Sequence, residues 1–314
     1  MPHIPDEILS TIFLFLASEV FFYPKRDGPR CKLSRPYRWM QIIYVCRRWH
    51  AVSFATRRLW AFVDLSSSRR TKALLRLSGS APLTVLHRWG HFCKASLSCC
   101  IQEMSRIHTF NLLEFSTSQA LRLPAASPPS TSRLVTLNLV NVSPAFGVSL
   151  LGPQLTRLCF MGVQYPVRTL LAMLRSTPAL VDLELSDPFE LGTLGNVFDQ
   201  DRREEVVSLP ALECLSVKTH TRAGLSCAAF TERLKLPPSA AIFLVHHSDD
   251  YCPPEELPDP NELFRCIADS RLHNGTPFRT VTTENNAPKR RLRISTTLRS
   301  SAVYSLYTHE SWDL

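Results

Sequence analysis

The residues most able to do chemistry stand in two clusters of histidine, cysteine and acid. The first is His246-His247, followed by Asp249, Asp250 and Cys252, side chains that suit a metal site or a nucleophile with its base. Consecutive residues of a strand point to opposite sides, so two adjacent histidines do not converge on one ion. The other groups lack the spacing of a zinc site. We therefore interpret this cluster as a strand end that runs into an acidic loop, with no metal bound.

The second cluster is Cys99-Cys100 with His91 and Cys93, which we interpret as buried or surface thiols. The ten cysteines of the chain form no CxxC pair and no disulfide framework, which favours a reducing compartment. The chain also contains none of the motifs GxGxxG, GxxxxGK[ST], GxSxG and HExxH. The sequence thus predicts a protein that is not an enzyme and has no cofactor.

Composition indicates a folded chain, since 45% of its 314 residues are hydrophobic and 20% are charged. No apolar run approaches the ~18 residues of a membrane span, and the run 12–17 follows acidic residues, unlike a signal peptide. We therefore expect no membrane association and a cytoplasmic or nuclear location.

Positive charge is concentrated near the N-terminus. Residues 1–72 hold 13 Lys plus Arg and 5 Asp plus Glu, a balance of +8 within a total of +9. Such a segment suits an acidic protein partner or nucleic acid. A solvated helix face with a basic loop explains the same charges equally well.

The elements of this basic segment are helical. Pro5 suits the first turn of a helix, and Asp6 and Glu7 follow at its positive end. Helical spacing predicts one apolar stripe, formed by Ile8, Leu9, Ile12, Phe13 and Leu16. Leu14 falls on the other side, either as an ordinary exposed leucine or as a residue that a partner covers.

A second helix is predicted from Trp39 to Ala55. Its apolar face would consist of Ile42, Val45, Cys46, Trp49 and Val52. Trp60 would then close a small core after a turn at 56–59. Between the two helices, residues 19–36 contain three prolines and one glycine and are interpreted as a basic loop or insertion.

In this order, Ile4-Pro5-Asp6-Glu7-Ile8-Leu9, Val45-Cys46-Arg47-Arg48-Trp49 and Leu59-Trp60 resemble the F-box motif. The resemblance covers residues 4–65 and is closest to the diverged F-box proteins numerous in mushroom-forming fungi, although Ile4 replaces the usual leucine. It implies a protein that binds a Skp-type adaptor and, through it, a cullin. The implied adaptor-binding residues are Ile4, Pro5, Ile8, Leu9, Leu14, Val45, Cys46, Trp49 and Trp60.

A repeated LxxLxL-like pattern follows the F-box-like segment. Copies begin at Ile107, Leu134, Leu155, Leu180 and Leu212, separated by 27, 21, 25 and 32 residues. This pattern and period are typical of leucine-rich repeats, in which each copy forms a short strand and neighbours must stack. The segment 167–176 has the spacing of a helix between two such strands. An ordinary α/β domain with unrelated strands is the alternative.

The predicted fold is therefore α/β: a three-helix F-box-like domain at 1–66, an irregular leucine-rich-repeat-like solenoid at 67–248, and a cap segment at 249–314. Residues 81–86 would form the first strand after the F-box and 240–245 a later buried strand. The last segment would contain a proline-rich acidic loop at 249–260, a helix at 261–271 and an edge strand at 291–295. The basic run 289–293 is alternatively a nuclear-import or nucleic-acid patch.

The sequence thus predicts a non-catalytic substrate-recognition subunit of a cullin–RING ubiquitin ligase of the SCF type. Outward positions between the repeat leucines would contact the target, and among them we select Arg157, Asp182, Glu184 and Glu213. Loops or the segment 261–314 could bind the target instead. Two alternatives remain: an F-box-like scaffold outside ubiquitination, and a basic nuclear or nucleic-acid-associated scaffold.

Overall fold

The computed structural model describes residues 4–22, 37–87, 93–113, 133–142, 144–162, 164–189, 206–220, 224–237, 239–247, 280–286 and 289–295. Within these residues the protein has an α/β fold built on one ten-stranded, mostly parallel sheet. The predicted fold class, α/β, is confirmed at this level. The predicted helix 261–271, the loop 249–260 and most of the loop 19–36 lie outside the described residues.

Seven α-helices and three short 3₁₀ helices are present in the described part of the chain. The α-helices are α1 Asp6–Phe22, α2 Arg47–Ala55, α3 Ser68–Ser78, α4 Lys94–Ile101, α5 Pro144–Ser149, α6 Val167–Arg175 and α7 Gly224–Glu232. The 3₁₀ helices are Arg38–Tyr44, Arg57–Ala61 and Met104–Arg106.

The same residues contain twelve strands. These are β1 Phe62–Asp64, β2 Leu83–His87, β3 Ile107–Leu113, β4 Thr136–Val140, β5 Arg157–Met161, β6 Asp182–Ser186, β7 Val207–Ser208, β8 Cys214–His220, β9 Leu234–Lys235, β10 Ala241–His247, β11 Thr280–Asn286 and β12 Lys289–Ser295. Strands β7 and β9 form a separate two-stranded parallel sheet.

The main sheet is wound in one direction. Eight parallel strands follow one another in chain order, β1-β2-β3-β4-β5-β6-β8-β10, and β12 and β11 extend the sheet in antiparallel pairing. Crossovers between parallel strands are right-handed, so successive crossovers in one direction place their helices on one face of the sheet. The opposite face is left to the side chains of the strands themselves.

The repeat leucines occupy equivalent positions in neighbouring strands. Leu137, Leu158, Leu183 and Leu215 are direct partners across β4, β5, β6 and β8, and all are at most 2% exposed. The five predicted copies of the motif correspond to the strands β3, β4, β5, β6 and β8. The predicted helix at 167–176 is also present, as α6. The strand positions and the burial of the motif residues are therefore confirmed.

The ends of three strands repeat one backbone conformation. Asn141, Gly162 and Asp187 directly follow β4, β5 and β6, and they have φ angles of 53°, 63° and 51°. Each donates its backbone N–H to a carbonyl of the next strand in the sheet: Met161, Ser186 and Lys218 respectively. A β-carbon at position 162 would overlap Asn141 Oδ1, so glycine is required there.

The helical N-terminal part packs against the same core. Leu9, Phe13 and Ala17 of α1 are buried, and Trp39 meets Trp60 edge to face at 5.5 Å between ring centroids. One buried cluster includes these residues and the sheet leucines. The hydrophobic core therefore runs without interruption from α1 into the sheet.

Two predictions about the N-terminal helices are wrong. The single helix predicted from 39 to 55 is a 3₁₀ helix and α2, separated at Cys46. Cys46 has an extended backbone and caps α2, because its Sγ accepts a hydrogen bond from the Trp49 backbone N–H at 3.5 Å. The predicted loop at 19–36 also begins too early, since α1 continues to Phe22.

The strand predicted at 81–86 is present as β2, Leu83–His87. The sequence did not predict β1, which lies inside the predicted F-box domain and whose residues 62–64 pair with 84–86 of β2. Two other predictions about strands are wrong. Near the C-terminus, β12 is not an edge strand, because it pairs with β10 on one side and with β11 on the other. His246 and His247 belong to β10 rather than following it.

Candidate protein-interaction surfaces

The N-terminal part of the chain exposes a group of large apolar side chains, which we call the N-terminal apolar surface. Its members are Ile4, Ile8, Ile12, Phe15 and Leu16 on and before α1, and Tyr44 and Val45 at the end of the first 3₁₀ helix. Exposure reaches 63% for Phe15 and 83% for Tyr44. Because α1 contacts the first 3₁₀ helix, the two groups lie on adjoining elements.

The structure divides the predicted adaptor-binding residues into three sets. Ile4, Pro5, Ile8, Val45 and Cys46 are exposed. In the second set, Leu9 and Trp60 lie in the core, so any effect they have on a partner must be exerted through the fold.

Leu14 and Trp49 are intermediate. Leu14 is half-buried and packs on the core, although its place opposite the predicted stripe led us to expect either an exposed leucine or one that a partner covers. Trp49 is half-buried against Phe13, with ring centroids 5.1 Å apart. The stripe predicted for α1 is also shifted, since Ile8, Ile12 and Leu16 point to solvent.

An ion pair fixes the start of α1 beside α2. Arg48 Nε and Nη2 donate to Asp6 Oδ1 at 2.9 and 2.6 Å, and Nη2 also donates to the Ile4 carbonyl. Both partners are partly exposed, so the pair contributes little to stability. The pair does, however, hold Ile4 and the first turn of α1 beside α2. Sequence reasoning missed it because no local pattern joins residues 42 positions apart.

On the sheet face away from the motif leucines, polar residues form two rows across the strands, which we call the polar face. The first row is Thr84, Thr109, Thr136, Arg157, Asp182 and Cys214. The second row is Asn111, Asn138, Cys159, Glu184 and Ser216.

Neighbouring side chains of the polar face are paired. Arg157 Nε donates to Asp182 Oδ2 at 2.7 Å, and Asn138 Nδ2 donates to Asn111 Oδ1 at 2.7 Å. Lys218 Nζ donates to Glu184 Oε1 at 2.6 Å. Three of the four predicted target-binding residues, Arg157, Asp182 and Glu184, are thus close together.

The fourth predicted residue, Glu213, is exposed but precedes β8 and lies outside both rows. Lys218 was not predicted, because it stands beyond the LxxLxL motif. In the structure Lys218 pairs with Ser186 of the adjacent strand β6, a position that follows from the strand register and not from the motif.

The two cysteines of the polar face have raised thiol pKa values. Burial, with the nearby Asp182 and Glu184 carboxylates, raises the pKa of Cys214 to about 11. Burial also raises the pKa of Cys159 well above its usual range, and Glu184 adds to the effect. The pKa of Cys93, in contrast, is lowered because the Ser96 side chain and backbone N–H hydrogen-bond its sulfur.

Metal ligands do not gather in the described part of the chain: no group of three or more His, Cys, Asp or Glu is placed to hold an ion there. Of the two clusters singled out in the sequence, Asp249, Asp250, Cys252 and His91 lie outside the described residues. Within the described residues, no helix is both long and apolar enough to cross a bilayer.

Comparison with protein-family models, with curated proteins and with solved structures gives no match to this chain. The F-box and leucine-rich-repeat interpretations therefore depend on the residues and geometry described above.

Proposed function

We propose that this chain is a non-catalytic substrate-recognition subunit of a cullin–RING ubiquitin ligase of the SCF type. Its N-terminal helices would form a diverged F-box that binds a Skp-type adaptor. The sheet and its helices would form an irregular leucine-rich-repeat solenoid that binds a target protein, with the C-terminal strands as its cap. Catalysis would come from the other subunits.

The observation that carries this proposal is the N-terminal apolar surface. Exposed apolar groups of this size, adjoining on two elements, mark a surface that another protein covers. Four of its members, Ile4, Ile8, Tyr44 and Val45, fall within or beside the segments that resemble the F-box.

Charge supports the same kind of partner. Within residues 37–76, eight exposed cations surround the N-terminal core: Arg38, Arg47, Arg57, Arg58, Arg69, Arg70, Lys72 and Arg76. Skp-type adaptors are acidic as a family, so this charge favours their approach and speeds association.

The repeat interpretation is supported by three regularities of the sheet. Motif leucines are in register, the strand ends share a left-handed residue, and each of those residues donates to the next strand. In a solenoid only the outward side chains are free to vary with the target. The polar face is such a surface, and Arg157, Asp182 and Glu184 are the residues we assign to target binding there.

The mechanism is positioning. Two binding sites on one chain make the encounter between target and charged conjugating enzyme intramolecular, which raises its effective concentration. No proton transfer or covalent step by this chain is needed.

Co-purification with a Skp-type adaptor tests the proposal. We expect the double variant Ile8→Asp, Tyr44→Asp to lose adaptor capture, because two carboxylates would be buried without partners in the interface. Both wild-type side chains are exposed, so the variant should fold normally.

The matched control is Val148→Asp, which places the same charge on an exposed apolar position of α5. It should retain full capture. Adaptor capture by the double variant at wild-type yield would contradict the proposed F-box. Capture of adaptor by the wild type without cullin would favour the scaffold alternative.

A second candidate function follows from the same exposed cations, which also suit the phosphates of nucleic acid. In that case the chain would bind DNA or RNA with an affinity that falls steeply as salt is raised. Charge reversal at Arg69 and Lys72, both exposed on α3, would reduce the slope of that dependence.

A further inference from the structure

An open cleft of about 520 Å³ lies between α1 and the beginning of the sheet. Its apolar walls are Leu14 and Phe15 of α1, together with Phe62 of β1 and Pro82 before β2. The volume lies within the range of sites that hold small ligands or single side chains of a partner. The cleft shares Phe15 with the N-terminal apolar surface, whereas Tyr44, Val45 and Ile8 of that surface do not line it.

The polar groups of the cleft can attract or bind an anion. Arg58 and His108 line it together with the hydroxyl of Thr84, and Arg58 is exposed. Arginine presents several N–H donors in a planar fork, and imidazole can donate one hydrogen bond more. Among the described residues that line the cleft, none carries a carboxylate. A carboxylate beside an apolar group therefore complements these walls.

The cleft adjoins the polar face through Thr84. Phe62 and Thr84 line it and are partners in adjacent strands, and Thr84 begins the row that continues through Thr109 and Thr136 to Arg157. Neighbouring strands lie about 4.8 Å apart, so Thr84 and Arg157, three strands apart, are about 14 Å from one another. Four to five residues of extended peptide cover about that distance. One peptide can thus reach the cleft and the charged residues together.

We propose that this cleft binds a segment of the target protein that presents an aromatic or large aliphatic side chain next to an aspartate or glutamate. The apolar side chain enters between Phe15 and Phe62, and the carboxylate is bound by Arg58. The inference rests on the proposed function only in calling the peptide part of a target, because the binding chemistry requires no adaptor.

Fluorescence anisotropy with the full chain and labelled peptides tests the inference. The probe is the peptide Gly-Ser-Glu-Glu-Phe-Glu-Glu-Ser-Gly, with one version in which Ser replaces Phe and another in which Gln replaces every Glu. Loss of the phenyl group should weaken binding about tenfold or more. Loss of the carboxylates should weaken it severalfold, and raised salt should reproduce part of that loss.

Variants of the chain locate the site. We expect Arg58→Glu to weaken the Phe/Glu peptide about tenfold, whereas Arg69→Glu, an equal charge change on exposed α3, should have a much smaller effect. Phe15→Ser should weaken the peptide, and Val148→Ser should not. All four side chains are exposed, and circular dichroism would verify that each variant folds.

Three results would overturn the inference. One is binding that does not respond to Phe15→Ser, and another is an equal loss from Arg58→Glu and Arg69→Glu. The third is binding of a phosphoserine version alone, which would make the anion a phosphate. Failure of adaptor capture with intact peptide binding would overturn the proposed function and leave the cleft assignment standing.

Discussion

The helical N-terminal part exposes many large apolar side chains, whereas the parallel sheet buries its motif leucines. In the described part of the chain ten large apolar residues are exposed, and eight of them lie between residues 4 and 54. The other two are Val148 and Val206. The motif leucines of the sheet, by contrast, are almost completely buried.

This contrast follows from how each region can cover its own surface. Each of the strands β3, β4, β5, β6 and β8 is flanked by a strand on both sides, and its motif leucines are buried within the chain. Two helices and two 3₁₀ turns bury Trp39, Trp60 and one side of α1, but they are too few to cover the other side. The N-terminal part is therefore the region that leaves large apolar side chains in contact with solvent.

The largest effect that we expect comes from the small N-terminal core. Trp60 is 3% exposed, packs on Phe54 and Trp39, and donates its Nε1–H to the Ser53 carbonyl at 3.0 Å. Trp60→Ala should lower the free energy of unfolding by about 3–5 kcal/mol, measured by urea denaturation of the full chain. Trp49→Ala should lower it by only about 1–2 kcal/mol, because that side chain is half-buried. Equal losses would show that the two tryptophans do not differ in burial.

A smaller effect is expected at a strand end of the sheet. Gly162→Ala places a β-carbon against Asn141 Oδ1 in a residue with positive φ, and should lower the free energy of unfolding by about 2 kcal/mol. Gly152→Ala is the matched control, since no atom lies within 4 Å of a β-carbon there. That variant should be neutral or slightly stabilising. A neutral Gly162→Ala would contradict the repeated strand-end geometry.

The same contrast explains what the sequence could predict. In the sheet, most residues between the leucines of each LxxLxL copy are polar, with Val135 and Val181 as exceptions, so the buried positions could be recognised. In α1, residues 12–16 are all apolar, and periodicity alone could not identify Leu9, Phe13 and Ala17 as the buried side. Other elements had to be present to choose the face.

Other differences come from contacts that no local pattern reveals. Cysteine is not a typical N-cap residue, so the helix break at Cys46 had no recognisable signal. Strand β1 has only three residues and depends on β2 for its pairing. The polar face could be predicted position by position, but its pairing of Glu184 with Lys218 and the cleft beside Phe15 require the folded chain.

The junction between the two regions depends on Tyr37. Its buried hydroxyl accepts a hydrogen bond from the Asp64 backbone N–H at 2.7 Å and donates one to the Phe62 carbonyl. Both are main-chain groups of β1, on the edge of that strand away from β2. Burial raises the pKa of Tyr37 well above its usual range, so the hydroxyl stays protonated. Tyr37→Phe leaves the Asp64 N–H without this partner and should cost about 1–2 kcal/mol in urea denaturation. Tyr44→Phe, at a side chain that is 83% exposed, should change nothing measurable.

The smallest stability effect is expected on the polar face, which is the surface that we propose for target binding. Arg157 and Asp182 are paired at 2.7 Å but are 64% and 37% exposed, so solvent screens their attraction. A double-mutant cycle of Arg157→Ala and Asp182→Ala should give a coupling of about 0.2–1 kcal/mol, decreasing with salt. Under the proposed function, target capture by the double variant should fall while adaptor capture is retained, because Arg157 and Asp182 belong to neither the cleft nor the N-terminal apolar surface. A coupling above that range, or loss of adaptor binding, would mean that these charges support the fold rather than present a surface to the target.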